Sequence, residues 1–230
     1  MPNGITAAAS ALRYWERRQE VVANNLANAS TSGFKGERVF AKAVNGALPT
    51  AGAVTDRRTG QLESTGRPLD LALATDDTFF VIGTPGGERL SRGGSFSIDA
   101  NNKLVDAQGN PVLGDKGPIT LPQGDVSIDA NGTVNVNGQE CQRLRLERVP
   151  TGTPLVHEGG TRFVPPATRD PIKTDAGVVK QGQVEQSNVN SLDSMVDLIA
   201  IQRAYASTQK AITTLDEVHR TAATELGKPV

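Results

Sequence analysis

The sequence has little of what enzymes, metalloproteins and disulfide-rich proteins usually display. Its single cysteine, Cys141, excludes an internal disulfide and any multi-cysteine metal site. The two histidines, His157 and His219, lack the spacing of metal ligands. Aromatic residues make up only 4% of the chain, which is low for one large globular core. A net charge of −1 argues against a broad electrostatic grip on nucleic acid.

Motifs that carry catalysis or cofactor binding are also missing. The sequence contains neither the Gly-x-Ser-x-Gly nucleophile motif nor a phosphate-binding loop. The turn that begins at Asp99 resembles the opening of a calcium loop, but Lys103 takes the fifth position and Asn110 takes the twelfth, where a carboxylate is needed. We therefore predict a protein that is not an enzyme, with no catalytic, cofactor-binding or metal-binding residue.

The chain also lacks long apolar runs. No stretch approaches the roughly 18 apolar residues of a membrane span, so we expect no direct membrane insertion. The first ten residues show no basic region followed by an apolar core, so we expect no cleaved signal peptide. Composition leaves open whether the protein stays in the cytosol or is exported by a route that removes no leader.

Glycine and proline divide the chain into three parts. Of the 24 glycines, all but two lie within 33–182, and 11 of the 13 prolines lie within 49–171. The segments 5–32 and 183–226 contain neither residue type. Because glycine and proline interrupt helices and build turns, long helices are predicted at the two ends only. The first is expected from about residue 4 to Asn28 or Ala29. The second is expected to begin at Asn190, an N-cap candidate with Asp193 three residues on, and to stop before Gly227 and Pro229.

Apolar residues at alternating spacings of three and four support those helices. Such spacing places side chains along one face, where a second helix can pack. The N-terminal stripe consists of Ile5, Ala8, Leu12, Trp15, Val22 and Leu26. The C-terminal stripe consists of Leu198, Ile201, Tyr205, Thr208, Ile212, Leu215, His219, Ala222 and Leu226, and a second, offset stripe consists of Leu192, Met195, Ile199 and Ala206. Two stripes on one helix predict packing against more than one neighbour.

The middle of the chain is typical of strands and tight turns. The segment from Ser97 to Val105 recurs thirty positions later as the segment from Ser127 to Asn135, and each copy predicts a β-hairpin around an Asn-rich turn. The predicted fold class is α+β, with an all-β middle domain, a sandwich or irregular barrel, flanked by long terminal helices that pair as a coiled-coil-like layer. The predicted domains are an N-terminal assembly helix (1–32), a connector (33–60), the all-β domain (61–185) and a C-terminal assembly helix (186–230).

Several motifs resemble those of bacterial flagellar basal-body rod and hook proteins. Near the ends these are Asn24-Asn-Leu-Ala-Asn28, Thr31-Ser-Gly-Phe-Lys35, Gln181-Gly-Gln-Val-Glu-Gln-Ser-Asn-Val-Asn190 and Gln202-Arg-Ala-Tyr205. In the middle they are Thr65-Gly-Arg-Pro-Leu-Asp-Leu-Ala-Leu73, Phe79-Phe80 and Arg92-Gly-Gly-Ser-Phe96. The short connector and the segment 112–119 resemble the proximal-rod subunit more than the distal-rod subunit. The turn 74–78 departs from the family pattern, in which a Gly-acid-Gly turn precedes the paired aromatic residues.

The resemblance implies a structural subunit of the rod that spans the periplasm. It implies export through the flagellar type III apparatus without a cleaved leader, and terminal helices that form the inner tube of the rod. The implied partners are further copies of the chain, other rod and hook subunits, and the export apparatus during secretion; nucleic acid is not among them. No cofactor is implied.

The stripes and motifs together define the predicted assembly residues. These are Ile5, Leu12, Trp15, Val22, Asn24, Asn25, Leu26, Asn28, Leu192, Met195, Leu198, Ile199, Ile201, Gln202, Tyr205, Ile212 and Leu215. The three asparagines are candidates for side-chain hydrogen bonds at helix contacts, or are simply exposed. Within the family, a distal-rod or hook-type axial subunit stays open as the alternative. Two other classes also stay open: a secreted β-domain that presents an aromatic-rich ligand-binding pocket on a helical stalk and, as the weakest reading, an enzyme.

Overall fold

A computed structural model describes residues 4–42, 50–172 and 177–226. These residues form two helices at the ends of the chain and a series of short strands between them. The helices are α1 (Gly4–Ala27) and α2 (Ser191–Leu226). The strands are β1 (Glu37–Lys42), β2 (Thr50–Thr55), β3 (Leu62–Ser64), β4 (Leu71–Leu73), β5 (Thr78–Thr84), β6 (Gly87–Ser91), β7 (Ser97–Ile98), β8 (Leu104–Val105), β9 (Leu113–Gly114), β10 (Gly117–Pro118), β11 (Val126–Ile128), β12 (Thr133–Val136), β13 (Gln139–Arg143), β14 (Leu146–Arg148), β15 (Val156–Gly159), β16 (Arg162–Val164), β17 (Asp170–Pro171), β18 (Val179–Gln181) and β19 (Gln183–Glu185).

The chain folds into two compact units. The helical unit consists of Met1–Ala27, Glu37–Val54 and Asn190–Val230, and the β unit consists of Asn28–Gly36 and Thr55–Val189. The chain therefore passes between the units four times. Terminal helices around a strand-rich middle confirm the predicted α+β class, while the coiled-coil-like geometry of the helix pair stays a prediction.

Both helices begin and end close to where the sequence predicts. The side chain of Asn190 caps α2, because its Oδ1 accepts hydrogen bonds from the backbone N–H groups of Leu192 at 3.0 Å and Asp193 at 3.4 Å. Asp193 also places a negative charge in the first turn, where the helix dipole favours it. The predicted stop at Gly227 and Pro229 lies outside the described residues.

Two strands of the predicted connector belong to the helical unit and form a separate two-stranded sheet, the β1–β2 sheet. Asn25 of α1 fixes the start of β1, since its Nδ2 donates to the backbone oxygen of Glu37 at 2.8 Å and its Oδ1 accepts from the Glu37 N–H at 3.0 Å. Asn45-Gly46 and Pro49, which argue against a long regular element in the connector, lie outside the described part of the chain.

The β unit is built around one six-stranded antiparallel sheet, in the order β15-β16-β6-β5-β14-β17. The other strands of this unit form two- and three-stranded sheets, and within the described residues they close no barrel. Alternating side chains of β5 face two separate apolar cores, because Phe80 and Ile82 join one and Phe79 and Val81 join the other.

The two predicted hairpins are confirmed. Strand β7 pairs with β8 so that Ser97 faces Val105, and β11 pairs with β12 so that Ser127 faces Asn135. In the first turn, the carboxylate of Asp99 accepts hydrogen bonds from backbone N–H groups two and four residues later, each at 2.8 Å. These bonds lower the pKa of Asp99, with the bond from Lys103 as the largest cause. Asx chemistry therefore accounts for the turn in the first hairpin.

Candidate assembly surface

The N-terminal stripe and the first C-terminal stripe lie at the contact between α1 and α2 within the helical unit, except that His219 and Ala222, near the end of α2, are exposed. Ile201 and Val22 are buried, with 1% and 9% of their surface exposed. The hydroxyl of Tyr205 donates to a carboxylate oxygen of Glu16 at 3.2 Å. The remaining predicted residues of this seam are half-buried: Leu12, Trp15, Leu26, Leu198, Ile212 and Leu215.

The two helices run antiparallel. A Cβ atom added to Gly4 at the start of α1 would lie 3.8 Å from Leu215 near the end of α2. At the other end of the pair, Arg18 of α1 lies 3.9 Å from the carboxylate of Asp197 near the start of α2. Ile5 lies in α1, but its side chain is outside the described part of the structure.

The second stripe of α2 faces solvent. Leu192, Met195, Val196 and Ile199 are exposed to 71%, 48%, 67% and 52%, and their spacing of three and four places them on one face. We call these four residues the α2 strip. The strip lies on the side of α2 away from the seam, because Leu198 and Ile201 are on the opposite face. Sequence reasoning missed Val196, although its hydrophobicity and its position one residue after Met195 could have indicated it.

The polar members of the predicted set lie at different places. Asn25 bonds to the backbone of Glu37, as described above, and not to a facing helix. Asn28 follows α1 and accepts a hydrogen bond from the Thr31 hydroxyl at 3.3 Å. Asn24 and Gln202 are exposed. The structure therefore brings the seam residues together and leaves the α2 strip, Asn24 and Gln202 on the surface of the helical unit.

A buried charge cluster in the β unit was not predicted from the sequence. The side chains of Glu185, Lys35 and Arg92 are each at most 2% exposed. One carboxylate oxygen of Glu185 accepts a hydrogen bond from Lys35 Nζ at 2.5 Å. The other oxygen accepts two hydrogen bonds from Arg92, from Nη2 at 2.6 Å and from Nε at 3.0 Å. The N–H of Gly60 also donates to Glu185 Oε1, at 2.8 Å. We call this the Glu185 cluster.

The cations of the cluster are stabilised by carbonyl groups as well. Arg92 Nη1 donates to the backbone oxygens of Thr75 at 2.5 Å and Thr78 at 2.7 Å, and Lys35 Nζ donates to that of Arg58 at 2.7 Å. Burial is the largest influence on the pKa of Lys35 and lowers it, the charge of Arg92 lowers it further, and Glu185 partly opposes both. The hydrogen bonds to Arg92 also hold the turn 74–78, where the sequence departs from the family pattern.

Asn188 adds a second connection beside the cluster. Its Oδ1 accepts from the N–H of Gly36 at 2.9 Å, and its Nδ2 donates to the backbone oxygens of Asp56 at 2.8 Å and Arg58 at 3.0 Å. Together with Glu185, it ties together three segments of the β unit. These are the segment after α1, the segment after the β1–β2 sheet and the segment before α2, so every point at which the chain leaves the β unit is anchored.

Three of the motifs behind the family resemblance meet at this cluster. Lys35 ends the motif 31–35, Arg92 begins the motif 92–96, and Glu185 and Asn188 lie in the motif 181–190. Gly94, two residues after Arg92, has no room for a side chain, because an added Cβ would stand 1.7 Å from the backbone oxygen of Leu71. The sequence did contain a signal of this cluster, because each of these motifs has a single charged residue among uncharged ones. The signal did not show which charges pair, because the partners are far apart in the chain.

Other features bear on the alternative functions. One groove of about 310 Å³ is lined by Arg67, Pro68, Leu69, Phe96, Ser97 and Ile98, with Phe96 as its one aromatic residue. This is not the aromatic-rich pocket that the ligand-binding alternative predicts. Within the described residues, no cluster of three or more His, Cys, Asp or Glu side chains could hold a metal ion. Neither described helix combines the length and apolarity that crossing a membrane requires.

Three family models match the chain in order. The model "Flagella basal body rod protein" matches residues 5–35, "Flagellar hook protein FlgE/F/G D1 domain" matches 75–136, and "Flagellar basal body rod FlgEFG protein C-terminal" matches 180–225. The first match covers most of α1 and reaches Lys35 of the Glu185 cluster. The last covers Glu185, Asn188 and nearly all of α2.

Curated relatives match over almost their whole length. The chain is 34% identical to the flagellar basal-body rod protein FlgF of Mesorhizobium japonicum, over 90% of this chain and 91% of that protein. It is 34% identical to FlgF of Escherichia coli, over 94% and 95%. It is also 30% identical to the flagellar basal-body rod protein FlgG of Bacillus subtilis, over 95% and 97%.

Paired terminal helices with an exposed apolar strip, together with a strand-rich unit, define a structural subunit of a larger assembly. The matches state which assembly: the chain belongs to the flagellar basal-body rod protein family. It is a structural component of the flagellar basal body and, like its relatives, not an enzyme.

Proposed function

We propose that the chain polymerises through its terminal helices into the axial rod of the flagellum. The observation that carries this proposal is the α2 strip, four large apolar side chains that are exposed in the single chain. Exposed apolar surface of this kind marks a contact with another protein. The seam pairs α1 with α2 inside one copy, and the strip remains to be buried against neighbours.

The helices of many copies form the inner layer of the rod and the wall of its export channel, and the β units form the outer layer. The partners are further copies, neighbouring rod and hook subunits, and the export apparatus during secretion without a cleaved leader. Contacts between unlike surfaces of identical copies need not close into a ring, and they then build a helical assembly. Torque passes from one β unit into its helices through the segments anchored by Glu185 and Asn188.

The similarity to FlgF favours a proximal-rod subunit over a distal one. The FlgF relatives are 34%, 33%, 34%, 31% and 32% identical, whereas the FlgG relatives are 30% and 28% identical. The short connector supports the same assignment. Locating the chain in a density map of the intact basal body tests it, and a position beside the hook would contradict it.

The test of assembly places a charge on the α2 strip. Ile199→Asp is expected to abolish incorporation into basal bodies purified from cells that lack the native gene, because a carboxylate cannot be buried against an apolar neighbour. The monomer should keep its far-ultraviolet circular dichroism, since Ile199 is already 52% exposed.

Gln209→Asp is the matched control, because it adds the same charge at an exposed position of α2 outside the strip. Basal bodies that contain the Gln209 variant and lack the Ile199 variant support the proposal. Equal incorporation of both variants contradicts it.

A further inference from the structure

The helical unit carries two separate apolar surfaces. Of the ten exposed large apolar side chains in the described residues, seven belong to this unit, which is too many to be scattered surface residues. Four of them form the α2 strip. Two more, Phe40 at 44% and Val54 at 52%, lie on the β1–β2 sheet. The seventh, Val218, stands apart on α2.

One face of the β1–β2 sheet is a preformed apolar platform. The ring of Phe40 lies across Gly52, where an added Cβ would stand only 2.6 Å from Cζ of the ring. Glycine at this position therefore leaves the room that the ring occupies. Side chains two residues apart in a strand share a face, so Val54 extends the platform on β2 and Arg38 extends it on β1. We call these three residues the β1–β2 face.

The sheet gains stability if this face is covered. A two-stranded sheet alone is marginally stable in water. Burial of the Phe40 ring and the Val54 side chain removes apolar surface from water and orders the strands at the same time. The β1–β2 face and the α2 strip are both exposed in the single chain, so neither of them covers the other within one copy.

The charges around the two surfaces are complementary. Arg38 is exposed on the β1–β2 face. The α2 strip is bordered by Asp193, also exposed, and α2 contains no Lys or Arg before Arg203. The strip from Leu192 to Ile199 is about 10 Å long at about 1.5 Å per residue, which is comparable to the span of three strand residues. The β1–β2 face, with the cation Arg38, is therefore complementary in charge and in length to the α2 strip, with the anion Asp193.

We propose that the β1–β2 face of one copy docks onto the α2 strip of a second copy. This contact rests on the proposed polymerisation and names the surface that the strip receives. Phe40 and Val54 pack between Met195, Val196 and Ile199 of the neighbour, and Arg38 lies near the neighbour's Asp193. Because the two surfaces differ, the copy at the end of the assembly still has one of them uncovered after each addition. A growing helical assembly requires such an uncovered surface.

Disulfide cross-linking in assembled basal bodies tests the contact directly. In the full-length chain with Cys141→Ser, the pair Phe40→Cys and Met195→Cys is expected to give a ladder of covalent multimers after mild oxidation. Each single variant should give no ladder. Phe40→Cys with Val218→Cys is the matched control, because Val218 is at least as exposed on α2 as Met195 (59% against 48%) but lies outside the strip.

Charge reversal tests the same contact without a cross-link. Arg38→Glu should reduce incorporation at least tenfold, and a second change, Asp193→Arg, should restore it. A simple structural defect in either residue would not be repaired by the other change. Circular dichroism of each monomer confirms that α2 forms when Asp193 is replaced.

The outcomes separate this contact from the proposed function. If Ile199→Asp blocks incorporation but no ladder forms and the charge pair shows no rescue, the docking partner is wrong and the assembly role stands. A cross-link to a different protein also overturns docking on a second copy. If Ile199→Asp is incorporated normally, the assembly role fails as well.

Discussion

At the scale of single residues, Glu185 joins parts of the β unit that are far apart in the chain. Its carboxylate serves two buried cations, and each of its oxygens accepts more than one hydrogen bond. Such a cluster is costly to bury, and it is tolerated only when the charges are paired and the remaining donors are satisfied. The cluster positions the backbone, because it connects the segment after α1 and the segment before α2 to the same point of the β unit.

Glu185→Gln tests the role of this cluster. The change leaves Lys35 and Arg92 buried without a carboxylate, so we expect the free energy of unfolding to fall by about 3–5 kcal/mol. Urea denaturation followed by circular dichroism measures the loss. Glu158→Gln is the control, since Glu158 pairs with Arg89 at the surface and its removal should leave the midpoint nearly unchanged. Equal midpoints for the two variants would show that the cluster is dispensable.

A second charge cluster predicts acid sensitivity. Arg145 donates hydrogen bonds to both carboxylate oxygens of Glu88, at 2.6 and 3.1 Å. These hydrogen bonds are the largest cause that lowers the pKa of Glu88 below its ordinary value of 4.5, and the charges of Arg145 and Arg169 lower it further. Burial of Glu88 opposes this lowering in part. A carboxyl group with a lowered folded-state pKa stabilises the fold above its unfolded pKa, and this stabilisation is lost as the pH falls through the folded value.

The measurement compares urea midpoints of the wild type and Glu88→Gln from about pH 6 to about pH 3. The wild type should be more stable at the upper end, and the difference should shrink as the pH falls below the ordinary carboxyl range. A difference that persists or grows on acidification would contradict the assignment.

At the scale of elements, α2 has two apolar faces, of which one is covered by α1 and the other is exposed to solvent. The face with Ile201 meets α1 in the same chain, whereas the α2 strip is exposed. A two-helix layer buries little apolar surface, and most helical stability in proteins comes from such burial. The terminal helices should therefore be only weakly stable until neighbours cover the strip.

Hydrogen exchange of the dilute monomer checks this prediction. Amide hydrogens of α1 and α2 should exchange much faster than those of β5 and β6, and they should become protected in purified basal bodies. Slow exchange along both helices in the monomer would show that their order does not depend on assembly.

At the scale of the whole molecule, the two units differ in what stabilises them. The β unit contains both apolar cores and the Glu185 cluster, and the helical unit depends on one seam. Unfolding should therefore show two transitions, with loss of helical signal before loss of sheet signal. A single coincident transition by calorimetry and circular dichroism would contradict this division.

Deletion of a terminal helix is the corresponding functional test. Chains that lack 1–27 or 190–230 should fail to enter the rod, because either deletion removes one side of the seam. Motility and the composition of purified basal bodies measure the effect. A normal rod built from either truncated chain would remove the basis of the proposed assembly.

Much of the architecture followed from local patterns in the sequence. The distribution of glycine and proline placed α1 and α2, Asn190 marked the start of α2, and the Asx-rich repeat predicted two hairpins. Each of these depends on residues within one turn or one hairpin, so the short-range physics of the backbone suffices. The motifs were also enough to identify the family.

Only the tertiary structure decided which apolar stripe is covered and which is exposed, because periodicity gives the faces of a helix but not the position of its neighbour. It also decided that Glu185 is buried with Lys35 and Arg92, which are 150 and 93 residues away in the chain. No local pattern encodes such a meeting. The sequence by itself therefore determined the terminal helices, the two hairpins and the family, and long-range packing determined the exposed surface and the buried cluster.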